Sequence, residues 1–554
     1  MKMILSIVHP VVIVAAATVF FAAGGGASCR AEGAAQNSAT PLLSGGNPDP
    51  TVCRVGDEYY IVTSSFSLSP GLPVYRSKDM VHWEVISHAW RESWPCKTPD
   101  DGIWAPTLRH HNGVFYLTVT WHDGFKKAEN YLLTARDPAG PWSKPLKIDA
   151  DAGIDGSLFF DGDDAWYLSN QQPSKQKWRG HCQIWMQRID LETGRLFGDR
   201  HVLTDGFGEG AAFAEGPHLY KIGGKYLLLH AQGGTAWGHM EIALVSDCVT
   251  GPYTHVAGNP VLTVKDWGRR SPLQAFGHAD LVQMPDGEWR AVFLGMRMAD
   301  EGKKCPLGRE TFSCRVDLDD NGLPTRFRRK ELIAGDWTDP AATRYSLLDR
   351  PDDPVRYVKV RDLSGRVDCP DKPFRFCAAL AADAPRRATA VTQLSSGWEF
   401  RSGGETWKNV CVPHDWVISG PFDKTNDIQI VAIAEDGEKK ASEKTGRTGA
   451  LPWFGDGTYR RKIEISQGTQ RAAVVFSGAM SEPEVFWDGA KVGEWKHGYT
   501  SFKVDLPDVS PGTHSLEVRL HNRLESSRWY PGAGLFRPVY LVLDSDDPEA
   551  HTSA

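Results

Sequence analysis

Between about Asn47 and Phe327 the chain runs repeatedly through one loose unit: a short strand, a turn, an apolar-aromatic strand, then two more turn-bounded strands. In the first block these are Asp49-Pro50-Thr51-Val52, Tyr59 to Thr63, Leu72 to Arg76 and Trp83 to Ile86. Later blocks open at Ile103 to Leu108, at Ile154 to Phe159, at a run containing Glu215, and at Gly277 to Val282. The openings fall about 50–60 residues apart, the scale of a four-stranded propeller blade with long loops. Five such units close into a disc whose opening strands line a central axis. Closure matters for function as well as for fold. Asp49, Trp104, Asp155, Glu215 and His278 hold the same place in their units, so a closed disc turns them toward one funnel.

Glu215 is the most telling of the five. It sits in the apolar, Gly/Pro-punctuated run Phe213 to Tyr220, and a Gly223-Gly224 turn then leads into the apolar strand Lys225 to His230. That pattern is a hairpin. Burial would raise the pKa of such a carboxyl and favour its protonated form, which suits a general acid. A glutamate that merely bonds a neighbouring backbone N–H is the plain alternative.

At 554 residues the chain exceeds what one hydrophobic core holds, so two or more domains are expected. A net charge of -7 offers no basic footprint and argues against a nucleic-acid partner. The 20 Trp and 55 Gly suit turn-rich β-structure with aromatic faces of the kind on which sugar rings stack. Lys2 and the apolar run Val11 to Phe21 read as a secretory signal. The run ends in Gly26-Ala27-Ser28-Cys29, which resembles a bacterial lipoprotein cleavage site, although Gly26 stands where Leu is usual. Residues 1–29 are therefore expected to be a signal peptide, with Cys29 lipidated and attached to a membrane; cleavage and release is the alternative. The expected place is outside the cytoplasm of a bacterium, in the periplasm or on the outer membrane or cell surface. No later segment approaches the ~20 apolar residues of a membrane span. The ten cysteines are irregularly spaced, without CxxC pairs of metal type. Cys305 with Cys314, or Cys369 with Cys377, could bridge, but buried free thiols are the expectation.

After Lys330 the pattern stops. Residues 331–395, with Arg350-Pro351-Asp352-Asp353-Pro354, read as a linker or strap. From Trp398 to Leu543 strands return with β-sandwich spacing: Thr458 to Ile463, Ala472 to Phe476, Pro483 to Trp487, Ser515 to Leu520 and Pro538 to Val542. The expected fold is thus all-β, a five-bladed β-propeller over 42–330 followed by a jelly-roll-like β-sandwich over 396–545.

Five motifs in the first part stand in order at blade spacing: Asn47-Pro48-Asp49-Pro50, Gly153-Ile154-Asp155-Gly156-Ser157, Glu215-Gly216-Pro217-His218, Gly277-His278-Ala279 and Gly308-Arg309-Glu310-Thr311-Phe312. Together they resemble glycoside hydrolase family 43, five-bladed propellers that cut β-xylosides, α-L-arabinofuranosides and arabinans. The resemblance implies Asp49 as general base, Glu215 as general acid, and Asp155 as the carboxylate that orients the acid and tunes its pKa. It further implies Arg309 as a sugar contact and His278 as an axial histidine beside a water or a structural Ca²⁺, with no cofactor required. An ion pair with a blade carboxylate is the alternative for Arg309, and a core histidine for His278. Trp104 and Phe66 are candidates for the sugar platform, or else core aromatics. Two carboxyls of unlike protonation are what glycoside cleavage needs, and a third near Glu215 would keep its proton on. The expected activity is inverting, exo-acting cleavage of β-1,4-xylosides from plant-wall oligosaccharides. An α-L-arabinofuranosidase, or a non-catalytic glycan-binding surface lipoprotein, is the alternative.

The second part carries Val412-Pro413-His414-Asp415-Trp416, Gly457-Thr458-Tyr459-Arg460-Arg461, Trp487-Asp488-Gly489 and the run Arg528 to Arg537. It is similar to the N-terminal sugar-binding-type sandwich of glycoside hydrolase family 2. The chain stops at Ala554, without room for that family's catalytic barrel, so an accessory role is expected.

Overall fold

The computed structural model describes residues 41–333 and 388–545, plus two short strands at Val367–Cys369 and Lys372–Phe374. Within those spans 44, 82, 91–100, 124–126, 151–152, 236, 299–304, 306–307, 419–420, 422, 427–450, 453 and 524–528 are left out. The expected signal segment with Cys29, most of the expected linker, and the side chains of Cys369 and Cys377 lie outside the described residues.

The described chain is all-β, with three short 3-10 turns as its helical elements among the described residues. Residues 51–327 form five antiparallel sheets, each made of strands consecutive in sequence. Their first strands are Thr51–Val55, Gly102–His111, Ser157–Asp161, Glu215–Ile222 and Leu273–Gln283. Each first strand packs on the next, and the fifth packs back on the first. The period-two alternation of the strands explains why this ring holds. Along Lys225–Gln232, Leu227 and Leu229 enter a core shared with Phe276, Phe293 and Phe312 of the fifth sheet. Leu228 points the other way, into a core with Leu168, Ile184 and Met186 of the third. Similar cores join the first and second sheets through Val62, Val74 and Leu117, the second and third through Leu132, Tyr167 and Trp185, and the fifth and first through Val292, Ile61 and Tyr75. Burying each such side chain contributes about 1.5–3 kcal/mol. The entering segment latches the ring: Leu43 pairs with Thr311, and Asn47 N–H donates to the Arg309 carbonyl at 3.0 Å.

Residues 388–545 form two sheets on one core that includes Trp398, Tyr459, Phe476, Trp487, Trp495 and Phe502. One sheet holds the strand Ala388–Gln393, paired with Val539–Ser545, so this region begins ahead of the expected boundary at 396. The two regions meet through side chains. Leu68 packs on Met480, Tyr499 and Phe536, and His88 lies 5.5 Å from His497 between ring centroids. Cys305 and Cys314 are free buried thiols, as expected, rather than a bridge; Cys411 is disulfide-bonded. Among the described residues no helix is long and apolar enough to cross a membrane.

Candidate active site

The first strands are irregular where their site residues sit. Pairing slips between Ile103 and Pro106, between Glu215 and His218, and between Gly277 and Asp280. Asp49, Asp155 and His278 adopt left-handed backbone, with φ of 53°, 57° and 54°. Such irregularities take a side chain out of the strand's alternation, at about 1–3 kcal/mol for each strained residue. Gly216 has φ +59°, and a Cβ there would come within 3.0 Å of the His278 ring. The residue after Glu215 must therefore be glycine for the axial histidine to lie this close.

Asp49 is 6% exposed. Ser64 Oγ donates to its Oδ2 at 2.6 Å and Arg309 Nη1 to its Oδ1 at 2.7 Å. Burial pushes this carboxyl up, but Arg309, His278, Ser64 and His239 together pull it below the ordinary carboxylate range. Asp49 stays ionised. Asp155 is equally buried and ends up on the other side. Burial first, then the charges of Glu215 and Asp49, push it well above the ordinary value against the pull of Arg309 and of the Gly216 N–H. Two close carboxyls resist joint ionisation, so the Asp155–Glu215 pair retains a proton under conditions where Asp49 is charged. Thr120 Oγ1 accepts the Asp155 N–H at 3.0 Å and fixes that turn.

His278 is lowered, mainly by burial, and so is neutral. Its own N–H and that of Ala279 donate to the buried Glu241 carboxyl, the latter at 2.9 Å. His239, held by the Ala275 carbonyl at 3.0 Å, is pulled down to about 4, chiefly by burial. Phe66 and Ile103 exchange backbone bonds of 2.8 and 3.0 Å, which sets the Phe66 ring 6.4 Å from that of Trp104. Trp104 in turn stacks on His122, centroids 4.1 Å apart. The Arg309 guanidinium carbon lies 5.6 Å from the Phe66 ring centroid and 5.4 Å from that of Trp529, a residue of the second region.

Below this cluster, Asp280 ties the ring together. It accepts Arg109 Nη1 and Nη2 at 2.8 and 3.1 Å, Thr51 Oγ1 at 2.7 Å, the Val52 N–H at 3.0 Å and Tyr220 Oη at 2.5 Å. Arg109 also bonds His218 Nδ1 at 2.9 Å.

The structure thus gathers all seven sequence-predicted residues, Asp49, Asp155, Glu215, Phe66, Trp104, His278 and Arg309, around one centre. Arg309 does pair with a ring carboxylate, but that carboxylate is Asp49 itself. Sequence reasoning missed Ser64, His239, Glu241, Trp529 and the Asp280–Arg109 network. The polar end of strand Glu58–Val62 at Ser64 was a signal; for Trp529 there was none in the first region. Among the described residues no group of three or more His, Cys, Asp or Glu side chains is arranged to hold a metal ion. Calcium takes six to eight oxygens; near His278 the carboxyls are Asp49, already bonded on both oxygens, and Glu241, which accepts the backbone N–H groups of His278 and Ala279, beside imidazoles and the Arg309 cation, a set that does not fit it.

The family model for glycosyl hydrolases family 43 matches residues 38–324. The chain belongs to glycosyl hydrolases family 43. A non-reducing end α-L-arabinofuranosidase of Bacteroides ovatus is 41% identical over 296 residues, 52% of this chain and 54% of that protein. A xylosidase/arabinosidase of Butyrivibrio fibrisolvens is 40% identical over 287 residues, 50% of this chain and 54% of that one. A β-xylosidase of Bacillus subtilis is 36% identical over 301 residues, 49% and 53%. The family 43 chain spans about half the length of these curated relatives. The crystal structure of a xylan β-1,4-xylosidase from Bacillus halodurans covers 93% of this chain and 97% of its own, with a TM-score of 0.50 and 22% identity, a likeness of fold alone.

Proposed function

We propose that this family 43 chain is an inverting glycosidase that releases xylose from the non-reducing ends of β-1,4-xylo-oligosaccharides. Asp49 is the general base that deprotonates water, Glu215 the general acid that protonates the leaving oxygen, and Asp155 keeps a proton available to Glu215. The observation that supports this most is the unequal charging of neighbouring carboxyls, Asp49 held ionised by Arg309, His278 and Ser64 while burial and the charges of Glu215 and Asp49 push Asp155 well above its ordinary value. Inverting cleavage needs that asymmetry, with the two working carboxyls roughly 6.5–9.5 Å apart. Phe66 and Trp104 offer faces to the sugar, and Arg309 offers N–H groups to its hydroxyls. No cofactor is required by this chemistry.

A second reading is α-L-arabinofuranosidase, the activity in the name of the Bacteroides ovatus relative, while the other two relatives carry xylosidase in theirs. We read the ring of five sheets as a five-bladed β-propeller and residues 388–545 as an accessory β-sandwich of the family 2 type. We read the chain as an exported lipoprotein anchored through Cys29. Membrane partition of the expressed protein, abolished by Cys29→Ala, tests the anchor; a wholly soluble wild type sinks it. A panel of aryl glycosides separates the two activities, and proton NMR of the first product tests the mechanism. α-Xylose should appear before mutarotation. First appearance of β-xylose would overturn the roles assigned to the carboxyls, and failure to cleave any glycoside would overturn the enzymatic reading.

A further inference from the structure

We propose that Trp529, from the second region, is a positioning residue of the first region's site: its indole walls the Arg309 guanidinium and so aims it at Asp49. The importance given to Asp49 rests on the glycosidase reading; the geometry does not. Arg309 is 4% exposed, donates to Asp49, and has its buried Nε without a hydrogen-bond partner. Arg297 shows the contrasting way to fix a buried guanidinium, for Glu310 grips it at two points, 2.7 and 2.6 Å. Arg309 has no such second carboxylate grip among the described residues. Its placement falls to the two aromatic faces, Phe66 at 5.6 Å and Trp529 at 5.4 Å, and a planar, weakly hydrated cation suits that packing.

Trp529 is itself firmly held. It packs in an apolar cluster with Ala275, Met296, Met298 and Cys305, all of the first region. Gly308, directly before Arg309, has φ +66°, and a Cβ there would lie 3.2 Å from Trp529 Cβ. On the other side the chain is clamped to the second region. Tyr530 Oη donates to Asp415 at 2.6 Å, and the N–H groups of Ala533, Val417 and Ile418 donate to the same carboxyl at 3.0, 3.1 and 3.1 Å. The run that resembles a family 2 sandwich is thus used here to build a wall of the family 43 site.

The consequence is specific. The groups acting on Asp49 are Arg309, His278, Ser64 and His239, and Asp49 in turn pushes the neighbouring Asp155 up. All belong to the first region, and only Arg309 touches Trp529. Removing the indole therefore loosens one of the lowering influences and leaves burial, which raises Asp49, in place. Asp49 can be titrated directly in the full-length chain by carboxyl ¹³C NMR after ¹³C-aspartate labelling, with Asp49→Asn to assign its resonance. Trp529→Ala should raise the Asp49 midpoint by about one pH unit, within the ~1–3 units that a neighbouring cation is worth, and Trp529→Phe should restore most of it. The acid limb of kcat/KM should move by the same amount. An unmoved midpoint overturns the inference, even if the variant melts earlier. If Trp529→Ala does not fold, Trp529→Leu, which fills the apolar cluster without a π face, decides by the same criterion. A midpoint that moves in a chain without glycosidase activity upholds the positioning and refutes only the functional reading.

Discussion

Asp280→Asn changes one buried charge at almost constant volume, and it probes how the ring is held at its axis. Asp280 is 0% exposed and accepts from Thr51 and Val52 of the first sheet, Arg109 of the second and Tyr220 of the fourth. The asparagine would turn one acceptor into a donor facing these donors, and would leave Arg109, a cation whose side chain is only 16% exposed, without its anion. A unit-charge pair at ~4 Å is worth about 4 kcal/mol at an effective dielectric constant of 20. Breaking such a pair from one side costs about 3–5 kcal/mol, because the surviving charge stays desolvated. For a domain of this size that is a fall of ~6–20 °C in Tm, at about 2–4 °C per kcal/mol. Differential scanning calorimetry of the full chain would read it. The pH dependence has a definite sign. Burial raises Asp280, but Arg109 and His218 more than offset it and hold the carboxyl far below its ordinary value. Its contribution is present above the unfolded pKa of about 3.9 and is lost as pH falls from there toward the folded value. Wild type and Asp280→Asn should therefore converge in acid. Adding Arg109→Met should recover about 2 kcal/mol or more, since removing both partners spares the stranded charge. An Asp280→Asn loss below about 1 kcal/mol, or a double variant worse than the single one, would refute the reasoning.

The remaining predictions concern the carboxyls. Glu215→Ala should cut hydrolysis of xylo-oligosaccharides by ~10²–10⁴-fold yet spare more activity on aryl glycosides with acidic phenols, whose leaving groups need no proton. Asp49→Ala should depress both substrate types alike, and equal impairment of both by Glu215→Ala in steady-state assays would mean that the acid is elsewhere. Asp155→Asn should lower activity while raising Tm relative to wild type above about pH 5: a raised folded pKa gives stability that is complete below the unfolded value and lost as pH climbs through the folded one. Melting curves from pH 4 to 8 that stay parallel would exclude that strained pair.

Much of the first region was legible because one period repeats. The hairpin Glu215–Ile222 to Lys225–Gln232 lies where the Gly223-Gly224 turn put it, and the site residues at block openings converge as a closed ring demands. The polar residues one or two pleats further along those strands were not legible. Arg109 and Asp280 read as ordinary strand charges that could face water, and only closure makes them partners across 171 residues of sequence. Ala388–Gln393 escaped notice because its partner, Val539–Ser545, lies at the far end of the region. Trp529 was not legible for a different reason: nothing in the run Arg528 to Arg537 shows that its indole meets Ala275, Met296, Met298 and Cys305 of the first region.

The two charge clusters are not independent, because the same strands carry both. Glu215–Ile222 bears Glu215 at its inner end and His218 and Tyr220 further along; Leu273–Gln283 bears His278 and, two residues later, Asp280. One cluster is strained and frustrated, with left-handed backbone at His278 and Asp155 pushed well above its ordinary value by burial and by the charge of Glu215. The other binds its anion with five donors from three other sheets. A site that holds like charges together needs a scaffold that cannot relax, and a satisfied buried network on the same strands supplies that resistance. It follows that Asp280→Asn should lower kcat well below its melting temperature, although Asp280 lies in the network beneath the site rather than among the reacting groups. Full activity in a destabilised Asp280→Asn protein would show instead that the bulges hold the site without help from the axis.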